Sequence, residues 1–207
     1  PQGTEFRVNT FTSNQQDSCV VAMNDGGGFV VTWTSYGQDG PESGVFGQRF
    51  DADGNPVGGE FQVNTYANEY QELSAVAMNG SGNFVVTWYS WTADGSYSGI
   101  YGQRYDVDGN RVGGEFQINV YNGEPWASSV AMDDVGNFVV TWSSSNQYGS
   151  GAGVFGRRYD AAGNAIGGEF QVNTYTTNSQ FWSSVATNNP GSFVVVWSSY
   201  GQDGSGY

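Results

Sequence analysis

The most regular feature of the sequence is a short apolar run that ends in tryptophan and occurs four times. It reads FVVTW at residues 29–33, 84–88 and 138–142, and FVVVW at residues 193–197. Successive side chains of a β-strand point to opposite faces, so an unbroken apolar run places apolar groups on both faces. This pattern is typical of a strand that is buried on both sides.

The spacing of the runs defines a repeat of about 55 residues. The tryptophans are 54 or 55 residues apart, at Trp33, Trp88, Trp142 and Trp197. Each unit predicts four strands separated by Gly, Asn and Asp turns. In the first unit the predicted strands cover residues 18–23, 29–33, 45–50 and 60–65. The first strand of the later units is predicted at residues 74–78, 128–132 and 183–187.

These units predict an all-β fold in which four-stranded antiparallel sheets pack face to face. A β-propeller of about four blades is the expected solution, and an open stack of sheets is the alternative. The small first strand is expected innermost, with Ala22, Ala77, Ala131 and Ala186 at the most crowded position. Residues 1–207 are expected to form one repeat domain, with units at 1–10 (partial), 11–65, 66–120, 121–174 and 175–207 (partial). The last blade lacks the equivalent of residues 44–55, and more chain or another copy could supply it.

A hairpin motif links the third and fourth strands of each unit. It reads GQRFDADGNPVGGEFQVN at residues 47–64 and returns at residues 102–119 and 156–173. A two-residue Gly54-Asn55 loop predicts that Arg49 lies opposite Glu60, unless the following Gly-Gly pair introduces a bulge. In the fourth strand, the alternation of apolar and polar residues predicts that Asn64 points outward.

Composition supports an all-β chain and limits its partners. The sequence has 32 Gly, 13 Tyr, 13 Phe and 7 Trp, which favours many short strands and tight turns. It carries six basic and 20 acidic residues, for a net charge of −14. This charge argues against nucleic acid and anionic membranes as partners, and no apolar run is long enough for membrane insertion. The absence of histidine excludes His-based catalytic triads and zinc sites. Cys19, the single cysteine, is expected to be a small apolar strand residue.

Acidic turns are the candidate metal ligands. Alternate Asp residues before glycine resemble the start of a calcium loop, because hard cations bind several oxygen atoms. The alternative is an ordinary turn in which Asp binds nearby backbone. The hairpin candidates are Asp51, Asp53, Asp106, Asp108 and Asp160. The candidates in the loops after the second strands are Asp39, Asp94 and Asp203. Calcium is therefore the one cofactor that the sequence suggests.

Aromatic residues outside the repeated core positions are the candidate ligand-binding residues. Such residues stack on sugars, contact other proteins or pack between blades. The candidates are Tyr36, Trp91, Trp126, Trp182 and Tyr200. The equivalent positions 17, 72, 126 and 181 carry Asp, Glu, Trp and Phe, which argues against four identical sugar sites. Most acids occupy repeated turns and no unit has an obvious acidic cluster, so the expectation is a protein that is not an enzyme.

The combined motifs resemble a family of repeats. GGEFQVNTY, SVA, GxFVVxW, SSxGQDGSG and GVFGQRYDADGN look like about 55-residue repeats of very large secreted bacterial proteins. Those proteins often carry hemolysin-type (RTX) calcium-binding repeats and cadherin-like modules. The resemblance implies a secreted or cell-surface location in a calcium-rich setting, with an adhesin role. The nonapeptide GGxGxDxUx is absent, so the resemblance does not extend to calcium binding by this segment.

Together, these observations predict a non-enzymatic extracellular repeat domain for adhesion or for surface or filament assembly. The alternative is a carbohydrate-binding propeller lectin, and a hydrolase is the third hypothesis. The expected partners are other copies of the chain, or glycans and proteins of cell surfaces.

Overall fold

All regular secondary structure in the described residues is β-strand. The computed structural model describes residues 3–66, 69–91, 98–121, 123–147, 151–189, 191–204 and 206. The first antiparallel sheet contains β1 (Gln16–Met23), β2 (Phe29–Tyr36), β3 (Ser43–Phe50) and β4 (Pro56–Gln62). The second contains β5 (Tyr70–Met78), β6 (Phe84–Trp91), β7 (Ser98–Tyr105) and β8 (Arg111–Gln117). The third contains β9 (Glu124–Met132), β10 (Phe138–Ser145), β11 (Gly153–Tyr159) and β12 (Phe170–Gln171). The fourth contains β13 (Gln180–Thr187) and β14 (Phe193–Ser199). No helix in these ranges could cross a membrane.

The four sheets, called blades 1 to 4 in chain order, fan out from their first strands. β1 packs beside β5, β5 beside β9, and β9 beside β13, whereas the main contacts between blades do not extend to the fourth strands. The predicted β-propeller architecture is confirmed. The first strand of each blade, which carries small side chains, is innermost. Ala77 is buried at the inner position that the sequence assigned to it, whereas Ala186 on the last inner strand is exposed.

The hydrophobic core lies between blades. In each blade, the front face is directed toward the preceding blade and the rear face toward the following one. Val30 and Val45 of the rear face of blade 1 share a core with Phe84 and Trp88 of the front face of blade 2. A second core joins blade 2 to blade 3 in the same way. Burial of one such side chain contributes about 1.5–3 kcal/mol, so each blade depends on its neighbours for stability.

The first and second strands are longer than predicted. β5 begins at Tyr70 rather than at residue 74, and β2 continues to Tyr36 rather than ending at Trp33. A bulge near the start of each first strand allows pairing to continue beyond the apolar core. The sequence signal for these strands was limited to their apolar part.

The hairpin turn is longer than the predicted two-residue loop. The Asp51 N–H donates to Asn55 O at 2.9 Å, and the Gly54 N–H donates to Asp51 O at 3.1 Å. Gly54 has a φ of 82°, which favours glycine over residues that carry a Cβ atom. The loop therefore spans three residues and is centred on Asp53.

The predicted pairing of Arg49 with Glu60 is wrong. Arg49 lies opposite Val57, and a bulge after it shifts the register of β4. The Gln48 side chain fills this bulge and donates to the carbonyls of Arg49 and Val57 at 2.8 and 3.5 Å. Gly58, with a φ of 74°, provides the left-handed backbone that the bulge requires. The Gly58-Gly59 pair thus introduces the bulge that was the stated exception to the Arg49–Glu60 pairing.

The Arg and Glu of the hairpin instead bind different neighbouring segments. Arg49 Nη1 donates to Val107 O in the hairpin of blade 2 at 2.7 Å. Glu60 Oε2 accepts from the N–H and hydroxyl of Thr10 at 2.7 and 2.8 Å. Later copies repeat both contacts, since Arg104 donates to Ala161 O at 2.9 Å. The carboxylate of Glu115 likewise accepts from Thr65.

Asn64 is buried, which contradicts its predicted outward orientation. Only 2% of it is exposed, and its Oδ1 accepts from the Val45 N–H at 2.8 Å. Asn119 and Asn173 make the same 2.8 Å contact with the next two third strands. β4 ends at Gln62, and the asparagine side chain then supplies a hydrogen bond beside the strand edge.

Candidate functional site

Each innermost strand contains a bulge with a strained residue. The non-glycine residues at these four bulges all have φ between 52° and 54°: Ser18, Leu73, Ala127 and Trp182. Positive φ costs free energy for such residues and is common at functional sites. The bulges also redirect the side chains that precede them.

The last paired residue before each bulge differs from blade to blade. We call these four residues the bulge set: Asp17, Glu72, Trp126 and Phe181. The positions are equivalent in the repeat and lie on adjacent inner strands. Blades 1 and 2 therefore contribute carboxylates, and blades 3 and 4 contribute aromatic rings.

The Glu72 carboxylate of the bulge set is held by hydroxyl groups of blade 1. Glu72 Oε1 accepts from Tyr36 Oη at 2.9 Å and from Ser43 Oγ at 3.2 Å. Burial, followed by the hydrogen bond to Glu72, raises the pKa of Tyr36 to about 12, and the nearby charge of Asp17 adds to the increase. Tyr36 therefore remains a hydrogen-bond donor at neutral pH. Asp17 is itself held by Gln15 Nε2 at 2.6 Å.

A stacked aromatic pair lies beside this acidic half. The rings of Tyr70 and Trp91 are nearly parallel, with centroids 4.4 Å apart. The hydrogen bond to Glu42 raises the pKa of Tyr70, with a smaller contribution from Glu72. Of the predicted ligand residues, Tyr36 contacts a carboxylate directly, whereas Trp91 stacks on a tyrosine that is hydrogen-bonded to one.

The aromatic half borders a cleft between blades 3 and 4. The cleft has a volume of about 390 Å³, within the usual range for small-molecule sites. Its lining residues are Trp126, Ser145, Asn146, Gly151, Ala152, Ser179 and Phe181. Trp182 is 67% exposed and packs edge-on against Phe181, with centroids 4.9 Å apart. Tyr200 is also exposed, and its N–H donates to Ser179 O at 3.0 Å.

The hairpin carboxylates of the calcium hypothesis bind their own turns. Asp51 Oδ1 accepts from the N–H of Asp53 and Asn55 at 3.0 and 2.8 Å, and Oδ2 accepts from Asn55 Nδ2 at 3.0 Å. Asp106 and Asp160 bind Asn110 and Asn164 in the same way. The side-chain hydrogen bond from asparagine lowers the pKa of all three carboxyl groups. Asp53 and Asp108 lie on the same turns.

The loop carboxylates have different environments. Asp39 Oδ2 accepts from the side-chain amides of Gln62 and Asn64, and burial raises the pKa of Asp39. Its Oδ1 is buried without a hydrogen-bond partner. Asp203 is exposed, and Asp94 lies outside the described residues. Within the described part of the chain, no three His, Cys, Asp or Glu side chains are grouped closely enough to hold a metal ion.

The sequence contains a signal for the bulge set. The change from Asp and Glu to Trp and Phe at equivalent positions argued only against four identical sites. In the structure, adjacent inner strands bring these positions to the same end of the blades.

Solved structures with a similar fold are glycoside hydrolases. An endo-arabinase from Bacteroides thetaiotaomicron aligns with a TM-score of 0.56 and 14% identity, over 95% of this chain and 75% of the enzyme. A thermostable family-43 glycoside hydrolase aligns with a TM-score of 0.50 and 13% identity, over 83% of this chain and 62% of the enzyme. No protein-family profile and no curated protein sequence matches the chain.

These comparisons correct the predicted function. A non-enzymatic domain for adhesion or assembly, and the expectation that the chain is not an enzyme, are contradicted because the matching propellers are carbohydrate-active enzymes. The repeat pattern predicted the propeller, but a fold by itself does not determine the chemistry of a protein.

Proposed function

We propose that this chain is a carbohydrate-active propeller that hydrolyses a glycan at the bulge set. The observation that carries the proposal is the division of four equivalent positions into two carboxylates and two aromatic rings. Aromatic faces stack on sugar rings, and a carboxylate pair is the usual machinery for cleaving a glycosidic bond. The fold similarity to an endo-arabinase supports arabinan as the first substrate to test.

In this proposal, Asp17 and Glu72 act as the acid and base pair. Glu72 is oriented by the hydroxyls of Tyr36 and Ser43, at 2.9 and 3.2 Å. Fixed orientation favours proton transfer because the donor and acceptor need not be reorganised during the reaction. Trp126 and the cleft beside it would bind a sugar unit on the side of blades 3 and 4.

The test measures reducing ends released from arabinan and from a panel of other polysaccharides. Asp17→Asn and Glu72→Gln are each expected to lower kcat by about 100-fold or more, because each removes a proton-transfer group. Trp126→Ala is expected to raise KM more than it lowers kcat. Asp108→Asn, in an exposed hairpin turn, is the matched control and is expected to retain activity.

Two results would refute the proposal. One is the absence of hydrolysis and of binding for every polysaccharide, with circular dichroism showing a folded protein. The other is hydrolysis that persists unchanged in the double variant Asp17→Asn/Glu72→Gln.

A secreted or cell-surface location would suit an enzyme that acts on a polymer outside the cell. Calcium also stays a prediction, with the half-buried Asp39 as a candidate ligand. Addition of calcium is then expected to raise Tm, and a chelator to reverse the rise. An unchanged Tm would count against calcium binding.

A further inference from the structure

Two apolar sheet faces at the ends of the blade series are exposed. On the front face of blade 1, Val21 and Met23 are 61% and 60% exposed. On the rear face of blade 4, Val194 and Val196 are 62% and 61% exposed. The equivalent of Val194 in blade 2, Val85, is fully buried against blade 3. Both end faces therefore have the composition of an interface between blades.

The three interfaces within the described part of the chain share a hydroxyl pair that is buried or partly buried. A threonine of the second strand meets a serine of the next inner strand, with the two hydroxyl oxygens 2.9–3.0 Å apart. The pairs are Thr32 with Ser74, Thr87 with Ser128, and Thr141 with Ser183. Each hydroxyl satisfies the other, so neither is left unpaired in the core.

Both members of this pair are replaced at the end faces. Cys19 occupies the serine position of blade 1, and Val196 occupies the threonine position of blade 4. If only one had changed, an interface between these faces would bury a lone hydroxyl, at a cost of about 1–3 kcal/mol. Because Cys19 and Val196 are both apolar, a contact between the two faces buries no unpaired hydroxyl group.

The N-terminal segment makes the match more specific. Phe6 packs on Phe50 with centroids 5.4 Å apart at 55°, as Phe61 of blade 1 packs on Tyr105 of blade 2. Residues 5–10 thus occupy the place of the outer strand of a preceding blade. The uncovered part of the front face corresponds to the inner strands of such a blade. Among the described residues, blade 4 presents the inner strands β13 and β14.

We propose that the rear face of blade 4 docks on the front face of blade 1 of a second copy of this chain. Within one chain, β1 is not packed against β13 or β14, so these faces do not cover each other. The contact continues the blade-to-blade interface across two molecules, with Val196 against Cys19. It joins two different surfaces, and is therefore a head-to-tail contact.

A cysteine crosslink tests this register. In the Val196→Cys variant, the new thiol takes the position of the threonine hydroxyl of the other interfaces. In those interfaces the threonine hydroxyl lies about 3 Å from the serine hydroxyl, and two thiols at such positions are close enough to form a disulfide. Mild oxidation is expected to join Cys19 of one chain to the introduced thiol of another, seen on a non-reducing gel and assigned by mass spectrometry. Tyr200→Cys, which places an exposed thiol outside the face, is the control for random crosslinking.

Sedimentation of unmodified protein gives an independent test. The average mass is expected to rise with concentration. Val196→Asp should weaken association more than about tenfold, because it buries a charge, while folding is unchanged at this exposed position. The double variant Cys19→Ser/Val196→Thr restores the hydroxyl pair and is expected to associate. A mass that stays monomeric would overturn the proposal, as would a disulfide in the Val196→Cys variant that forms only within single chains.

Discussion

Asn64→Ala tests whether the buried asparagines hold the outer edge of each blade. The substitution leaves the Val45 N–H without its acceptor at a buried position, which costs about 1–3 kcal/mol. It also removes the bond from Asn64 Nδ2 to Tyr66 O at 2.7 Å, for about 0.5–1.5 kcal/mol. The expected loss of unfolding free energy is therefore about 2–4 kcal/mol. At about 2–4 °C per kcal/mol for a chain of this size, Tm falls by roughly 4–16 °C.

The assay is thermal and urea unfolding followed by tryptophan fluorescence. Gln117→Ala is the matched control, since Gln117 is an exposed residue at the end of an outer strand and should change stability by less than about 0.5 kcal/mol. Asn64→Asp keeps the acceptor but places a second carboxylate beside Asp39, whose Oδ2 is 3.4 Å from Asn64 Nδ2 in the native structure. It should destabilise at neutral pH and recover partly in acid. If Asn64→Ala were no more harmful than Gln117→Ala, the reasoning would be refuted.

Two further predictions concern the turns and the sheet faces. The pKa of Asp51 is lower in the folded protein than its usual value of 3.8, so the ionised carboxylate stabilises the fold. This contribution to the unfolding free energy is complete above pH 3.8 and is lost as the pH falls through the pKa of the folded state. Asp51→Asn should make Tm fall less steeply between about pH 5 and pH 3, and Asp53→Asn is the control; equal slopes for both variants would contradict this role. Gly102→Ala would place a Cβ atom 2.9 Å from the ring of Phe116 and should cost about 1–3 kcal/mol in urea unfolding. Gly114→Ala, with open space around its Cβ position, should cost much less, and similar losses would contradict the packing argument.

The sequence contained enough information for the architecture. Apolar runs at a fixed spacing predict buried strands, and strands with two apolar faces require neighbouring sheets on both sides. The hairpin details were less accessible, because the effect of the Gly-Gly pair depends on whether Gln48 enters the bulge. The outward orientation predicted for Asn64 is wrong because β4 ends at Gln62. The alternation of apolar and polar residues indicates which face a side chain lies on only within a continuous strand.

The candidate site was only partly predictable. The aromatic candidates Tyr36, Trp91 and Trp126 lie at the same end of the blades as the acidic residues. The sequence does not show that Glu72 belongs to the site. The bulge at Leu73 sets the direction of the Glu72 side chain, and no sequence pattern indicates that bulge. Which carboxylate meets which hydroxyl depends on packing between blades, as the bond from Tyr36 to Glu72 illustrates.

The arginine contacts between hairpins have a consequence for how the repeats can diverge. Arg49 and Arg104 bind main-chain carbonyl oxygens, at Val107 and Ala161, and do not depend on the side chains at those positions. The residues at positions 107 and 161 can therefore change without loss of these contacts, but a change in the length of the hairpin would displace the carbonyl oxygen that the arginine of the preceding blade binds. Contacts of this kind tolerate substitution at the acceptor position but not insertion into the hairpin. Recombination could exchange whole units while the inner-strand positions acquire different chemistry.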